Sequence, residues 1–145
     1  MAFDKERIKH DKDRVTMARL LVQEYGEEAL DALMAWRRER SKASWAKRAE
    51  EEGRNDPAYL KRLFTEKAHE FEVIEDSKKV LEVKVTRCVH AETFQSLGAA
   101  DLGYKLICTG DDAVVEGFNP KMKLTRPEIL MRGDPSCHFR FELTE

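Results

Sequence analysis

Apolar residues in the first part of the chain recur at three- and four-residue intervals. Val15, Ala18, Leu21, Val22 and Tyr25 form one such stripe and predict a helix that Gly26 ends. Behind it, Glu27 and Glu28 suit the positive end of a second helix, whose stripe is Ala29, Leu30, Leu33, Met34 and Trp36. Asp56 followed by Pro57 reads as a cap and first-turn proline. They open a third predicted helix, with Leu60, Leu63, Phe64, Ala68 and Phe71 on its buried side.

After Phe71 the period shortens to two. Glu72–Asp76, a polar turn at Ser77–Lys78 and Lys79–Arg87 read as a hairpin. In it Leu81, Val83 and Val85 share one face, and Glu82, Lys84 and Thr86 share the other. A helical stretch is expected from Ala91 to Cys108 on Phe94, Leu97, Leu102 and Leu106. A loop should follow over Gly110–Pro120, then an edge strand over Lys121–Arg132 that Pro127 weakens. The last strand, Ser136–Leu143, alternates with Cys137, Phe139, Phe141 and Leu143 inward. The pattern predicts one α+β domain over 1–145. A helical portion, 1–71, packs on a small antiparallel sheet of about four strands within 72–145.

Composition narrows the function. At 145 residues the chain can bury a core without disulfide or metal. A formal charge of −2 lacks the net basic footprint of generic nucleic-acid binding. No apolar run reaches membrane-helix length, and the charged opening MAFDKERIKHDKDR is unlike a signal peptide. Three scattered cysteines predict reduced thiols and a cytoplasmic location. No nucleic-acid or membrane partner and no cofactor is expected; a small molecule is. Exposed-looking aromatics such as Trp45 leave room for a homodimer that would cover them. His10 and His69 are expected on solvated helical surfaces.

Candidate chemistry concentrates in the second half. Cys88 stands between a strand and a helix start, where a helix dipole and neighbouring cations favour thiolate. Burial as a small hydrophobe is the competing reading for Cys88, and the favoured one for Cys108 and Cys137. A Cys3His zinc site lacks any close C-x-x-C pair, so no metal is expected. The stretch from Thr109 to Pro120 offers Asp111, Asp112, Glu116 and Asn119. One of these acids could act as general base, or the segment could hold only a capping Asp and an Asx turn. Neither a phosphate-cradling Gly loop nor a Ser-His-Asp elbow is present.

Several ordered anchors carry a resemblance. Thr86-Arg87-Cys88-Val89-His90-Ala91-Glu92 is followed by Leu97-Gly98 and Leu102-Gly103-Tyr104 leading to Cys108. Then come Asp112, Gly117-Phe118-Asn119-Pro120, Lys123-Leu124-Thr125-Arg126 and Gly133-Asp134-Pro135-Ser136-Cys137-His138-Phe139-Arg140. Over about 81–141 this resembles the L-2-amino-thiazoline-4-carboxylic acid hydrolase family. The closing Gly-Asp-Pro-x-Cys-x-Phe is similar to 4-vinyl-reductase-type ligand-binding domains of TRAPP-like α+β fold. The resemblance implies a hydrolase that opens a small thiazoline-like or cyclic amidine-like ring. Under it, Cys88 would be nucleophile or water orienter, and Asp112 general acid or base. Asn119, Arg126 and Cys137 would contact substrate. A non-catalytic small-molecule sensor domain is the alternative, and a thiol-based metal regulator a third.

Overall fold

The computed structural model describes residues 2–144. Two long helices lead: α1, Lys5–Tyr25, and α2, Glu27–Glu52. Asp4 caps the first, its Oδ1 accepting the Glu6 N–H at 3.0 Å. Gly53, in left-handed conformation (φ 63°), closes the second. A 3-10 turn, Pro57–Leu63, leads into the hairpin of β1, His69–Asp76, and β2, Val80–Cys88. Three short helices follow, α3 (Val89–Ser96), α4 (Ala100–Ile107) and α5 (Asp111–Phe118). Strands β3, Met122–Thr125, and β4, Cys137–Leu143, complete an antiparallel sheet of order β1-β2-β4-β3.

The predicted α+β architecture is what the chain forms. Leu81, Val83 and Val85 of β2 lie opposite Phe141, Phe139 and Cys137 of β4. Except for the half-buried Phe139, this row is buried. The helices cover it with Leu30, Met34, Phe94, Leu106 and Phe118. Trp45 is not left uncovered. It packs edge-on against Tyr59 and Phe118, at ring-centroid distances of 6.4 and 5.7 Å.

Four expectations change. The third helix stops at Leu63 as a 3-10 turn, because Phe71 is drawn into β1 opposite Val85 and His69 pairs with Cys88. The stretch Ala91–Cys108 divides at Gly98, whose φ of 64° suits glycine and turns the chain between α3 and α4. The strand expected over Lys121–Arg132 ends at Thr125. Beyond Pro127, Ile129 instead donates to Asp134 Oδ2 at 2.8 Å and Met131 enters the core.

The loop expected over Gly110–Pro120 is the helix α5, tied to α2 by Arg38–Asp112 and Lys42–Glu116 ion pairs. Gly117 is a contact point in this helix. A Cβ there would lie 2.1 Å from the Lys42 carbonyl oxygen, so only glycine lets α5 touch the α2 backbone.

Candidate active site

The sheet face and the helices enclose a cavity of about 180 Å3, on the order of six waters' liquid volume. Cys88 reaches it from the end of β2, Cys137 from the start of β4, and Cys108 from the turn after α4. Asp111 enters from the first turn of α5 and Arg126 from the residue after β3. Phe64, Phe139 and Phe141 supply an aromatic wall, with His69 and His90 at its margin.

Arg126 is the organising charge. Its side chain is 11% exposed. One guanidinium edge is engaged: Nη1 donates to Asp111 Oδ2 at 2.7 Å and to the Cys108 carbonyl at 3.0 Å. The Phe139 ring lies 4.2 Å beneath its carbon. On the other edge, among the described residues, Nη2 has only the Cys137 sulfur at 3.9 Å, and Nε is buried without a hydrogen-bond partner. A buried donor left unmade is costly, about 1–3 kcal/mol. It is also the group that an anion entering the cavity would satisfy.

Burial raises the acid and the thiols alike. Burial raises the Asp111 carboxyl to about 6, with Arg126 opposing and Asp112 reinforcing the shift. Burial pushes Cys88 up to about 11 despite backbone donors from Ala91 and His90. Cys108 is pushed to about 12, with Arg126 too weak a counterweight. Cys137 is raised for the same reason, although the Leu130 N–H donates to its sulfur at 3.2 Å. All three thiols are neutral at physiological pH, whereas Asp111, at about 6, is largely ionised there. Desolvation outweighs the helix-start effect expected for Cys88.

Of the residues singled out in the sequence, Cys88, Arg126 and Cys137 share this cavity. Asp112 and Asn119 do not. Asp112 points outward, its side chain 63% exposed and bonded to Arg38 at 2.7 and 2.9 Å, which holds its carboxyl below the usual range. Asn119 is buried, but both ends of its amide are structural. Nδ2 donates to the Asn55 carbonyl at 3.0 Å, and Oδ1 accepts the Lys121 N–H at 2.9 Å. His69, expected in solvent, is partly buried at the cavity, and burial pulls it down to about 4, with His90 and Arg7 adding repulsion.

Asp111, one of the acids offered as a general base, also lines the cavity, as do Cys108, His69 and His90. Helical phase would have singled out Asp111. Asp111, Val115 and Phe118 fall on the inward side of α5, and Asp112 and Glu116 on the side facing α2. Among the described residues, no group of three or more His, Cys, Asp and Glu side chains is placed to share a metal ion. No described helix is long and apolar enough to cross a membrane.

No curated protein matches. A solved structure of trafficking protein particle complex subunit 3 from Naegleria fowleri, covalently bound to palmitic acid, is similar at 11% identity. It covers 95% of each chain with a TM-score of 0.44. The family model for L-2-amino-thiazoline-4-carboxylic acid hydrolase matches residues 9–141, reaching back from the anchors around Cys88 through the helical half. The chain belongs to the L-2-amino-thiazoline-4-carboxylic acid hydrolase family.

Proposed function

We propose that the chain hydrolyses a small, carboxylate-bearing heterocycle of the thiazoline or cyclic amidine class inside the Arg126–Asp111 cavity. The observation that carries this reading is the buried guanidinium with one edge held by protein and the other open. A substrate carboxylate fits that open edge, where Nε and Nη2 present two parallel donors. The ring would then lie against Phe139 and Phe141, with its amidine-like carbon toward Asp111.

Chemistry follows from the charge states. Ionised Asp111 takes a proton from water as the oxygen adds to the carbon between nitrogen and sulfur. One ring bond of that carbon then breaks, and the departing heteroatom receives the proton from Asp111. A carboxyl near 6 is suited to both transfers at neutral pH. The neutral thiols of Cys88 and Cys137 line and orient; they do not attack. The aromatic wall favours a second reading, a binding domain without turnover, in which the same ligand would be held but not opened.

The test is a turnover assay on 2-amino-thiazoline-4-carboxylate and on the same ring lacking its carboxylate. Wild type should open the first and bind the second weakly. Arg126→Gln should raise KM about 30-fold or more, since the charged donor pair for the substrate carboxylate is lost. Cys88→Ala should cost less than about tenfold, the scale of one hydrogen bond. Absence of turnover on any carboxylated ring, with binding retained, would establish the second reading instead.

A further inference from the structure

Outside the cavity lies a second hollow of about 290 Å3, bordered by Arg7, His10, Arg14 and Arg37 from α1 and α2. Two residues, His90 and Ile107, line both spaces. They are the partition between the basic cleft and the thiol-lined interior. We infer that this cleft is the mouth of the cavity and that it admits small anions in preference to neutral or cationic molecules, His90 and Ile107 forming the door. The inference deepens the hydrolase reading by assigning the substrate's route and charge, and it can be tested without turnover.

Charge is the first support. The chain carries a formal −2, yet three guanidinium groups converge here. Neutralisation is incomplete. Asp4 stands 3.6 Å from Arg7, and Asp11 binds Arg14 at 3.0 Å. Arg37 has no ion pair among the described residues, and its pKa is lowered by burial and by the charge of Arg14. Like charges pressed together lower each other's protonation, so an arriving anion relieves a repulsion already present. Clefts with one sign of charge and low-dielectric walls raise on-rates of opposite ions by about 10–1,000-fold.

The door has a built hinge-post. Asp11 is fully buried although it lies mid-helix in α1. Its Oδ2 is 2.5 Å from His90 Nδ1, while Arg14 holds the other oxygen at 3.0 Å. Burying a carboxylate without partners would cost several kcal/mol, and the two partners it has are both cleft residues. Asp11 thereby fixes His90 at the boundary, leaving the ring's other nitrogen clear of any protein hydrogen bond among the described residues.

Charge-paired thiol reagents read the route directly. The probes are the anionic 2-sulfonatoethyl and the cationic 2-(trimethylammonium)ethyl methanethiosulfonates. Their rates on Cys88 and Cys108, both partly accessible, are followed by peptide mass. The anion-to-cation rate ratio is divided by the ratio for the urea-unfolded chain, which removes intrinsic reactivity. At low salt the folded protein should favour the anion by about tenfold or more, and about 0.5 M salt should collapse the preference.

Arg37→Glu should reverse the preference, and Arg14→Gln should weaken it. Lys78→Glu, in the β1–β2 turn at the far end of the hairpin, should leave it unchanged; circular dichroism checks each fold. A ratio within about twofold of the unfolded value overturns the inference. So does a preference that survives in both arginine variants, which would place the mouth elsewhere. Loss of turnover with this selectivity intact would overturn the hydrolase reading alone.

Discussion

Asp111→Asn is expected to lower kcat by about 100- to 10,000-fold, the range a positioned general base supplies. The substitution keeps shape and leaves Oδ1 able to accept from Arg126, so KM should move far less than kcat. The paired control is Asp112→Asn. That carboxylate sits outside the cavity on Arg38, so the rate should hold and stability should fall by at most about 1 kcal/mol. Steady-state kinetics on the two variants separate adjacent residues of the same type by helical phase alone. Equal losses in both would remove Asp111 from the proposed role.

A second large effect concerns the scaffold. Gly117→Ala would ordinarily help a helix by about 1 kcal/mol, because alanine is the better helix former. Here the added Cβ would stand 2.1 Å from the Lys42 carbonyl oxygen and 2.8 Å from that residue's carbonyl carbon and Cα. Backbone cannot rotate aside as a side chain can, so α5 must separate from α2. We expect a net loss of about 3 kcal/mol or more, the upper end of overpacking costs.

Gly103→Ala makes an instructive partner. Its Cβ would meet Phe94 Cγ at 2.6 Å and Phe94 Cβ and Met131 Sδ at 2.8 Å; the methionine can yield, but Phe94 Cβ moves only with the α3 backbone, so this variant is destabilised too. Urea denaturation should lower the midpoint of both variants at similar slope, and more for Gly117→Ala, whose clash is the closer and is with backbone alone. Since α5 carries Asp111, the first variant should lose activity along with stability.

The two-residue period of Leu81, Val83 and Val85, and of Cys137, Phe139 and Phe141, was enough to predict the two central strands, because one face of each is buried. The long helices were legible for the same reason at the longer period. What escaped was set by distant contacts. The glycines and acids of Gly110–Pro120 suggest a loop, because nothing local reveals that the Lys42 backbone packs on Gly117. Phe71 continued a helical stripe in sequence, but its place is in β1 opposite Val85.

At the site, Cys88, Arg126 and Cys137 were visible as residue types in a recurring order, and the fold gathers them around one cavity. Asp111 and Asp112 both stand as possible general bases in the sequence, and only the helical phase of α5 tells the cavity-facing one from the one on Arg38. Asp11 carried no signal at all. It is one acid among many on α1, and only the fold brings His90, 79 positions away, to its carboxylate. The reactivity of Cys88 was misjudged for a related reason: sequence shows adjacent charges, whereas burial, which shifts the thiol to about 11, depends on the whole enclosure.

Whether the half-buried Asp111 carboxyl rather than a sulfur drives the reaction can be read from kcat/KM for 2-amino-thiazoline-4-carboxylate as a function of pH. An ionised Asp111 predicts a rise of about tenfold per pH unit below about 6, then a plateau through pH 9, with the rising limb absent in Asp111→Asn and moved upward in Arg126→Gln. A rate that instead keeps climbing toward the Cys88 value of about 11, and vanishes in Cys88→Ala, would contradict the account.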